Sequence, residues 1–155
     1  MDFGRKMKSG GRILGDGKTW RGFFGGIFSA IVLGLILIGI SIPFDEEHFG
    51  FGSFPDFLVI IILMSTGALL GEVLGSFIKR RLGKERGAKA PGLDQYDFLL
   101  GAWLLLIIFK TQWFLDHFVF WPYTGALITV IILTPLLHRG VNILGYKMGK
   151  KDVPW

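Results

Sequence analysis

Two aspartates three residues apart, Asp94 and Asp97, follow a loop that is rich in cations. Residues 79–89 contain six of them, namely Lys79, Arg80, Arg81, Lys84, Arg86 and Lys89. A spacing of three places both carboxylates on one face of a helical turn. Mg²⁺ binds carboxylate and phosphate oxygens, and Lys and Arg neutralise phosphate charge. The pattern predicts a site for a hard metal ion and a polyphosphate, whereas Asp94 taken alone also fits a helix N-cap.

A third carboxylate, Glu72, interrupts a run that is otherwise apolar from Phe57 to Ile78. On insertion scales a carboxylate inside a membrane span costs about 2.5–3.5 kcal/mol, so such a residue is a functional candidate by default. Ser76 follows four residues later and shares its helix face. We therefore interpret Glu72 as a candidate metal ligand. The alternatives are a structural pair with a neighbouring helix and an ion or proton relay in a small transporter.

The elements that must position these carboxylates are apolar runs of membrane-spanning length. A hydrocarbon core about 30 Å thick requires about 20 helical residues. Four runs meet or approach that length: Phe23–Ile42, Phe57–Ile78, Phe98–Leu115 and Phe118–Leu137. The composition, 51% hydrophobic with a mean hydropathy of +0.52, is also typical of a membrane protein. We predict an all-α, polytopic membrane protein with four transmembrane helices in one domain, residues 1–155, whose last two helices form a tight hairpin at Asp116-His117.

The distribution of basic residues gives the orientation of these spans. Of 17 Lys and Arg residues, 16 fall in the segments 1–22, 79–97 and 138–155, and the loop 43–56 has none. The positive-inside rule places those three segments, and both termini, in the cytoplasm of a multi-pass cell-membrane protein. The basic segments lie against the bilayer and contain no nucleic-acid-binding module, so we expect membrane lipids rather than nucleic acid as their partner.

Other residue types narrow the chemistry further. The sequence has no cysteine, which excludes disulfides, thiolate catalysis and Cys-ligated metals. The histidines have no metal-ligand spacing, and we interpret all three as structural or solvated: His48, His117 and His138.

A glycine-rich stretch before the first span, LGDGKTWRGFFGG, contains the Gly-Lys-Thr of phosphate-binding loops. A P-loop requires glycine at position 12, which is Arg12, and a preceding strand, which is absent from the pattern. A P-loop is therefore rejected. There remain a lipid-facing helix entry and a basic loop whose helix start meets an anion. In the second case Asp16 and Lys18 converge on the ligand of the 79–97 loop.

The run GSFIKRRLGKERGAKAPGLDQYDFLLGA, residues 75–102, resembles the signature region of CTP-dependent phosphatidate cytidylyltransferases, and more closely that of their archaeal branch, the CDP-archaeol synthases. The opening ILGDGKTWRGFFGG and the ending KDVPW are similar to the archaeal branch too. The resemblance implies a Mg²⁺-dependent membrane enzyme whose substrates are CTP and a lipid phosphate, 2,3-bis-O-geranylgeranylglycerol 1-phosphate. The products would be a CDP-lipid and pyrophosphate, with a homodimer as one candidate assembly.

By position, the resemblance makes Asp94, Asp97 and Lys79 catalytic residues. The two aspartates would bind metal, and the resemblance directs Lys79, Arg80 and Lys84 at phosphates. The remaining basic loop, including Arg86, is expected to bind the departing pyrophosphate. The nucleotide site is expected to include three residues of the opening stretch, namely Asp16, Lys18 and Thr19.

Two features depart from the family pattern. Gly71-Glu72 stands where the family commonly has Gly-Asp, so a longer carboxylate would have to serve. A further N-terminal span usual in the family is not evident in this sequence. Two rivals to a cytidylyltransferase remain, the transporter and a scaffold that binds anionic lipids. A CDP-alcohol phosphotransferase is excluded because its D-G-x₂-A-R pattern is missing.

Overall fold

The computed structural model describes residues 1, 13–14, 17–44, 50–84, 88–150 and 154. Within these ranges all regular structure is helical, which confirms the predicted all-α class. The elements are α1 (Trp20–Ser41), α2 (Asp56–Arg81), α3 (Leu93–Phe109), α4 (Thr111–Phe114), a π-helical segment (Leu115–Val119) and α5 (Thr124–Lys147).

In the described part of the chain, three helices are long and apolar enough to cross a membrane: α1, α2 and α5. The helix α3 has 17 residues, a rise of about 25 Å at 1.5 Å per residue. Length and composition therefore bear out three of the four predicted spans. Large apolar side chains along α1 and α5 are exposed, as expected of helix faces that contact lipid.

The predicted boundaries of the last two spans are wrong. The structure ends α3 at Phe109, where Lys110 leaves helical geometry with φ −139°, and α5 begins only at Thr124. The connection is therefore not a tight Asp116-His117 hairpin but α4 followed by the π-helical segment. Hydropathy misplaced it because residues 118–123 are mostly apolar although they precede the helix. Pro135 lies inside α5.

The contact between α2 and α3 is made through glycine. Gly67, Gly71 and Gly75 recur every four residues, so they lie on one face of α2. A Cβ added at Gly67 would lie 2.5 Å from the carbonyl oxygen of Gly101, and one added at Gly71 would collide with the Asp97 carbonyl. Small residues let two helix backbones approach this closely, as in other membrane helix pairs. The position of α3 thus depends on the absence of side chains on this face of α2.

Ionic contacts lie at both ends of the α2–α3 pair. Lys79 Nζ lies 2.7 Å from Asp94 Oδ1, and Lys110 Nζ lies 2.6 Å from Asp56 Oδ1. The first pair joins the end of α2 to the start of α3. The second joins the start of α2 to the residue after α3. The two helices are therefore antiparallel. An aromatic cluster packs around Ile60 and Leu106 in the half of α3 nearer Lys110. The half nearer Asp94 carries the polar residues.

Candidate functional site

A polar cavity of about 480 Å³ opens where the end of α2 meets the start of α3. We call it the ionic cavity; it is lined by Lys18, Glu72, Ser76, Lys79, Arg80, Ala88, Asp94, Asp97, Phe98, His138 and Asn142. Its three carboxylates and three Lys or Arg side chains balance in formal charge. The cavity thus brings together residues that are up to 124 positions apart in the sequence.

The Asp94 carboxylate already has two partners. Its Oδ1 atom accepts a hydrogen bond from Lys79 Nζ at 2.7 Å, and its Oδ2 atom accepts one from the backbone N–H of Ala90 at 2.7 Å. Asp94 therefore closes the turn that leads into α3, but the N-cap of that helix is Gly92, so the N-cap alternative for Asp94 is wrong. A carboxylate offers about four acceptor positions, so the same group retains capacity for a further ligand.

Glu72 pairs with the segment that precedes α1. Lys18 Nζ lies 2.8 Å from Glu72 Oε2, and the two side chains are 26% and 44% exposed. The two residues are 54 positions apart, so their contact ties the opening stretch to the middle of α2. Lys18 thus lines the same cavity as Lys79, Asp94 and Asp97. In this structure Glu72 has a lysine as its nearest charged partner, as in the structural alternative.

Asp97, on α3, packs against the glycine face of α2. A Cβ added at Gly75 would collide with the Asp97 carboxylate, so this side chain occupies the space that the glycine leaves open. Its Oδ1 atom accepts a hydrogen bond from the Phe98 backbone N–H at 2.8 Å. Unlike Glu72 and Asp94, Asp97 has no Lys or Arg nitrogen within ion-pair distance among the described residues.

Arg80 and Lys84 differ in their relation to the ionic cavity. Arg80 lines it and donates from Nη1 to the Lys84 carbonyl at 2.6 Å, whereas its buried Nε atom has no hydrogen-bond partner in the described part of the chain. A buried, unsatisfied guanidinium N–H is unfavourable, and an anionic ligand would satisfy it. Lys84 instead donates to the Lys89 carbonyl at 2.6 Å and lies outside the cavity wall.

The other predicted binding residues lie elsewhere. Thr19 caps α1, with its Oγ1 atom accepting from the Gly22 N–H at 3.0 Å, and lines a smaller cavity on the far side of the Lys18–Glu72 pair. Asp16 and Arg86 fall outside the described residues.

The carboxylates of the ionic cavity are the candidate ligands for the predicted Mg²⁺ ion. Among the described residues, no group of three His, Cys, Asp or Glu side chains is close enough to hold a metal ion. Glu72, Asp94 and Asp97 therefore share a cavity wall without forming a complete ligand cage. Mg²⁺ is usually held by one or two carboxylates together with waters and substrate phosphates. The donor set fits that mode of binding.

Two residues of α5 complete the wall and were missed at the sequence level. His138, interpreted there as structural or solvated, and Asn142 both line the ionic cavity. Both lay in a segment that was predicted to be a cytoplasmic loop, 138–155, but α5 continues through it to Lys147. The two residues are four positions apart, which on a helix that continues past residue 138 places them on the same face. This spacing was the signal in the sequence.

A proline and a tyrosine hold α5 in this position. Pro135 has no N–H, so the Ile131 carbonyl one turn earlier lacks its usual helical partner. The Tyr96 hydroxyl, from the first turns of α3, donates to that carbonyl at 2.8 Å. The bond fastens α5 to α3 about two turns before His138 and about three turns before Asn142.

An apolar groove of about 470 Å³ adjoins the ionic cavity between α3 and α5. Asp97 lines both. The groove continues along Leu99, Leu100 and Trp103 of α3 and Ile131 of α5. A polar and an apolar site therefore meet at one residue, Asp97.

Comparison with known proteins gives consistent matches along the whole chain. The profile of the CarS-like family, described as CDP-archaeol synthase, matches residues 1–155. A CDP-archaeol synthase of Methanosarcina mazei is 44% identical over 162 residues, which covers 100% of this chain and 89% of the relative. The Methanocorpusculum labreanum protein of that name is 46% identical with the same coverage, and the Pyrococcus horikoshii protein is 43% identical over 100% and 82%. No solved structure matches the chain.

The Tyr96 bond predicts non-additive stability effects. Tyr96→Phe leaves the Ile131 carbonyl unsatisfied and is expected to reduce the free energy of unfolding by about 1–3 kcal/mol. In a Pro135→Ala background the new N–H can bond Ile131 within the helix, so the same change should cost less. Denaturant unfolding in detergent measures both, with Tyr146→Phe as the control. An equal loss in the two backgrounds would contradict the assignment.

Proposed function

This chain belongs to the CarS-like family of CDP-archaeol synthases, and from that premise we propose that it transfers the cytidylyl group of CTP to the phosphate of an archaeal diether lipid. The proposed acceptor is 2,3-bis-O-geranylgeranylglycerol 1-phosphate. The observation that carries the proposal is the position of Asp97, which lines the ionic cavity and the apolar groove together. The reaction joins a water-soluble polyphosphate to a lipid, and it needs both surfaces at one point.

We assign the triphosphate of CTP to the ionic cavity. Lys18, Lys79 and Arg80 supply the positive charge there, and the unsatisfied Nε donor of Arg80 supports an anionic ligand. Lys18 and Lys79 lie 2.8 and 2.7 Å from carboxylates, so an incoming phosphate competes for cations that are already oriented. Preorganised cations stabilise the charge that collects on the departing pyrophosphate.

We assign the lipid to the apolar groove. The phosphate of the lipid would lie near Asp97, and the first part of a chain would lie along Leu100 and Trp103. In this placement the rest of the lipid chain extends into the bilayer, since the groove is bordered by the exposed side chains of Leu100 and Ile131.

The chemical step is a displacement at the α-phosphorus of CTP. A lipid phosphate oxygen forms the new bond to this phosphorus as the bond to the β-phosphate bridging oxygen breaks, and pyrophosphate leaves. The nucleophile is already anionic at neutral pH, so no general base is required. Asp97 and Asp94 would hold Mg²⁺ with the phosphate oxygens, and the ion would supply charge neutralisation and alignment of the reactants. Glu72 would orient Lys18, with direct metal binding as its other proposed role.

The transporter hypothesis has no support in these observations. It assigned Glu72 to an ion or proton relay, but Glu72 pairs with Lys18 beside Ser76 and Lys79. The relatives carry the name of a synthase throughout.

The purified protein should form CDP-lipid and pyrophosphate in equal amounts from radiolabelled CTP, Mg²⁺ and the diether lipid phosphate. Asp97→Asn is expected to lower kcat about 100-fold, because the charge that faces the reacting phosphates is lost. Asp116→Asn is the matched control, since Asp116 contacts Gln112 at the other end of the bundle. No product from ether or ester lipid phosphates would defeat the proposed function. Full activity of Asp97→Asn would defeat the role of Asp97 alone.

We also propose four spans in one domain, with α3 as the third. Its ion pairs join Asp94 to Lys79 and Lys110 to Asp56, so α3 runs beside most of the spanning helix α2. Together with the charge distribution, this arrangement supports the proposal that residues 1–22, 79–97 and 138–155 lie in the cytoplasm.

Because the sequence contains no cysteine, any introduced cysteine is the only thiol in the protein. Four spans predict that a membrane-impermeant maleimide labels Ser53→Cys and Tyr123→Cys from outside intact cells. Leu82→Cys and Met148→Cys should react only after permeabilisation. Labelling of Tyr123→Cys from the same side as Leu82→Cys would show that α3 does not cross.

A further inference from the structure

A second cavity of about 480 Å³ adjoins the ionic cavity across α5. We call it the amide cavity because the side chains of Gln95 and Asn142 both line it. It shares Asp94, His138 and Asn142 with the ionic cavity, so one molecule can extend through both. None of the functions assigned above uses Gln95 or Asn142.

The amide of Asn142 is built into the wall. It is the single asparagine of the sequence, and it is 4% exposed. Its Nδ2 atom lies 3.3 and 3.4 Å from the two ring nitrogens of His138. Contact with the imidazole therefore holds the amide of Asn142 in the wall of the cavity. A polar group is costly to bury, so an ordered amide beside a cavity indicates a recognition role.

The rest of the wall suits a flat heterocycle. Pro91, Ile143 and Pro154 provide apolar surface, and Lys89 and Arg139 add positive charge. Small-molecule sites combine such apolar walls with a few placed polar groups. A carboxamide carries both a donor and an acceptor. Cytosine presents an exocyclic amine donor beside its acceptors, whereas uracil has a carbonyl in place of that amine.

Resting on the proposed function, we infer that the amide cavity binds the cytidine moiety of CTP and that Gln95 and Asn142 select cytosine over uracil. The shared wall of Asp94, His138 and Asn142 then lies beside the ribose and the α-phosphate. The triphosphate extends past it into the ionic cavity, toward Lys79 and Arg80. The residues that select the base, Gln95 and Asn142, thus lie apart from Lys79 and Arg80, whose charges act on the phosphates.

The test compares CTP with UTP as cytidylyl or uridylyl donor in the full-length protein. Gln95→Ala and Asn142→Leu, which keeps a side chain of similar size and removes both hydrogen-bonding groups of the amide, should each raise KM for CTP. The ratio of kcat/KM for CTP to that for UTP should fall about tenfold or more, because a hydrogen-bonding site loses discrimination when a partner is removed. The KM for the lipid phosphate should stay within about twofold.

Gln112→Ala provides the matched control, because Gln112 contacts Asp116 far from both cavities and should leave the ratio unchanged. Thermal unfolding in detergent identifies any variant that fails to fold. Gln95 is only partly buried, so Gln95→Ala keeps the test open if Asn142→Leu does not fold. An unchanged CTP/UTP ratio in folded variants of an active enzyme would overturn the inference, as would a rise confined to KM for the lipid. A wild-type protein that forms no CDP-lipid would instead defeat the proposed function.

Discussion

Close contact between the backbones of α2 and α3 is the constraint on which the rest of the structure depends. Three glycines on one face of α2 leave no side chain between the helices, and Asp97 occupies the space beside the last of them. Helix packing in lipid gains little from apolar burial, so this close fit must supply much of the association. The same contact brings Lys79 within 2.7 Å of Asp94 and places both on one cavity. Packing and chemistry therefore share one interface.

The charges around the ionic cavity are stabilised by one another in the resting structure. Lys18 pairs with Glu72, and Lys79 pairs with Asp94, while Asp97 stays outside these pairs. Pairing lowers the cost of placing charge near the bilayer, where single ionised groups are unfavourable. It also keeps the cations oriented before a polyphosphate arrives. Asp97 differs because it faces the apolar groove as well, which is where we place the lipid phosphate.

The sequence was sufficient to predict the helical class, the approximate positions of α1 and α2 and the candidate carboxylates, because apolar length and charge spacing determine them locally. It was insufficient where three-dimensional pairing decides the outcome. Glu72 and Lys18 are 54 positions apart, and nothing local indicates their contact. The start of α5 was misplaced because hydropathy does not distinguish an apolar turn from a helix. His138 and Asn142 were missed for the related reason that α5 extends beyond its apolar part.

The most direct measurement of the central claim is kcat for a Gly75→Ala variant in the CTP assay. The added methyl group would collide with the Asp97 carboxylate, whereas Gly39→Ala on α1 places its methyl group in open space. Since displacement of a catalytic group by about 1 Å can cost about 100-fold in rate, we predict a loss of that order for Gly75→Ala and no loss for Gly39→Ala. Wild-type kcat in Gly75→Ala would contradict the claim that this glycine contact positions the reacting carboxylate.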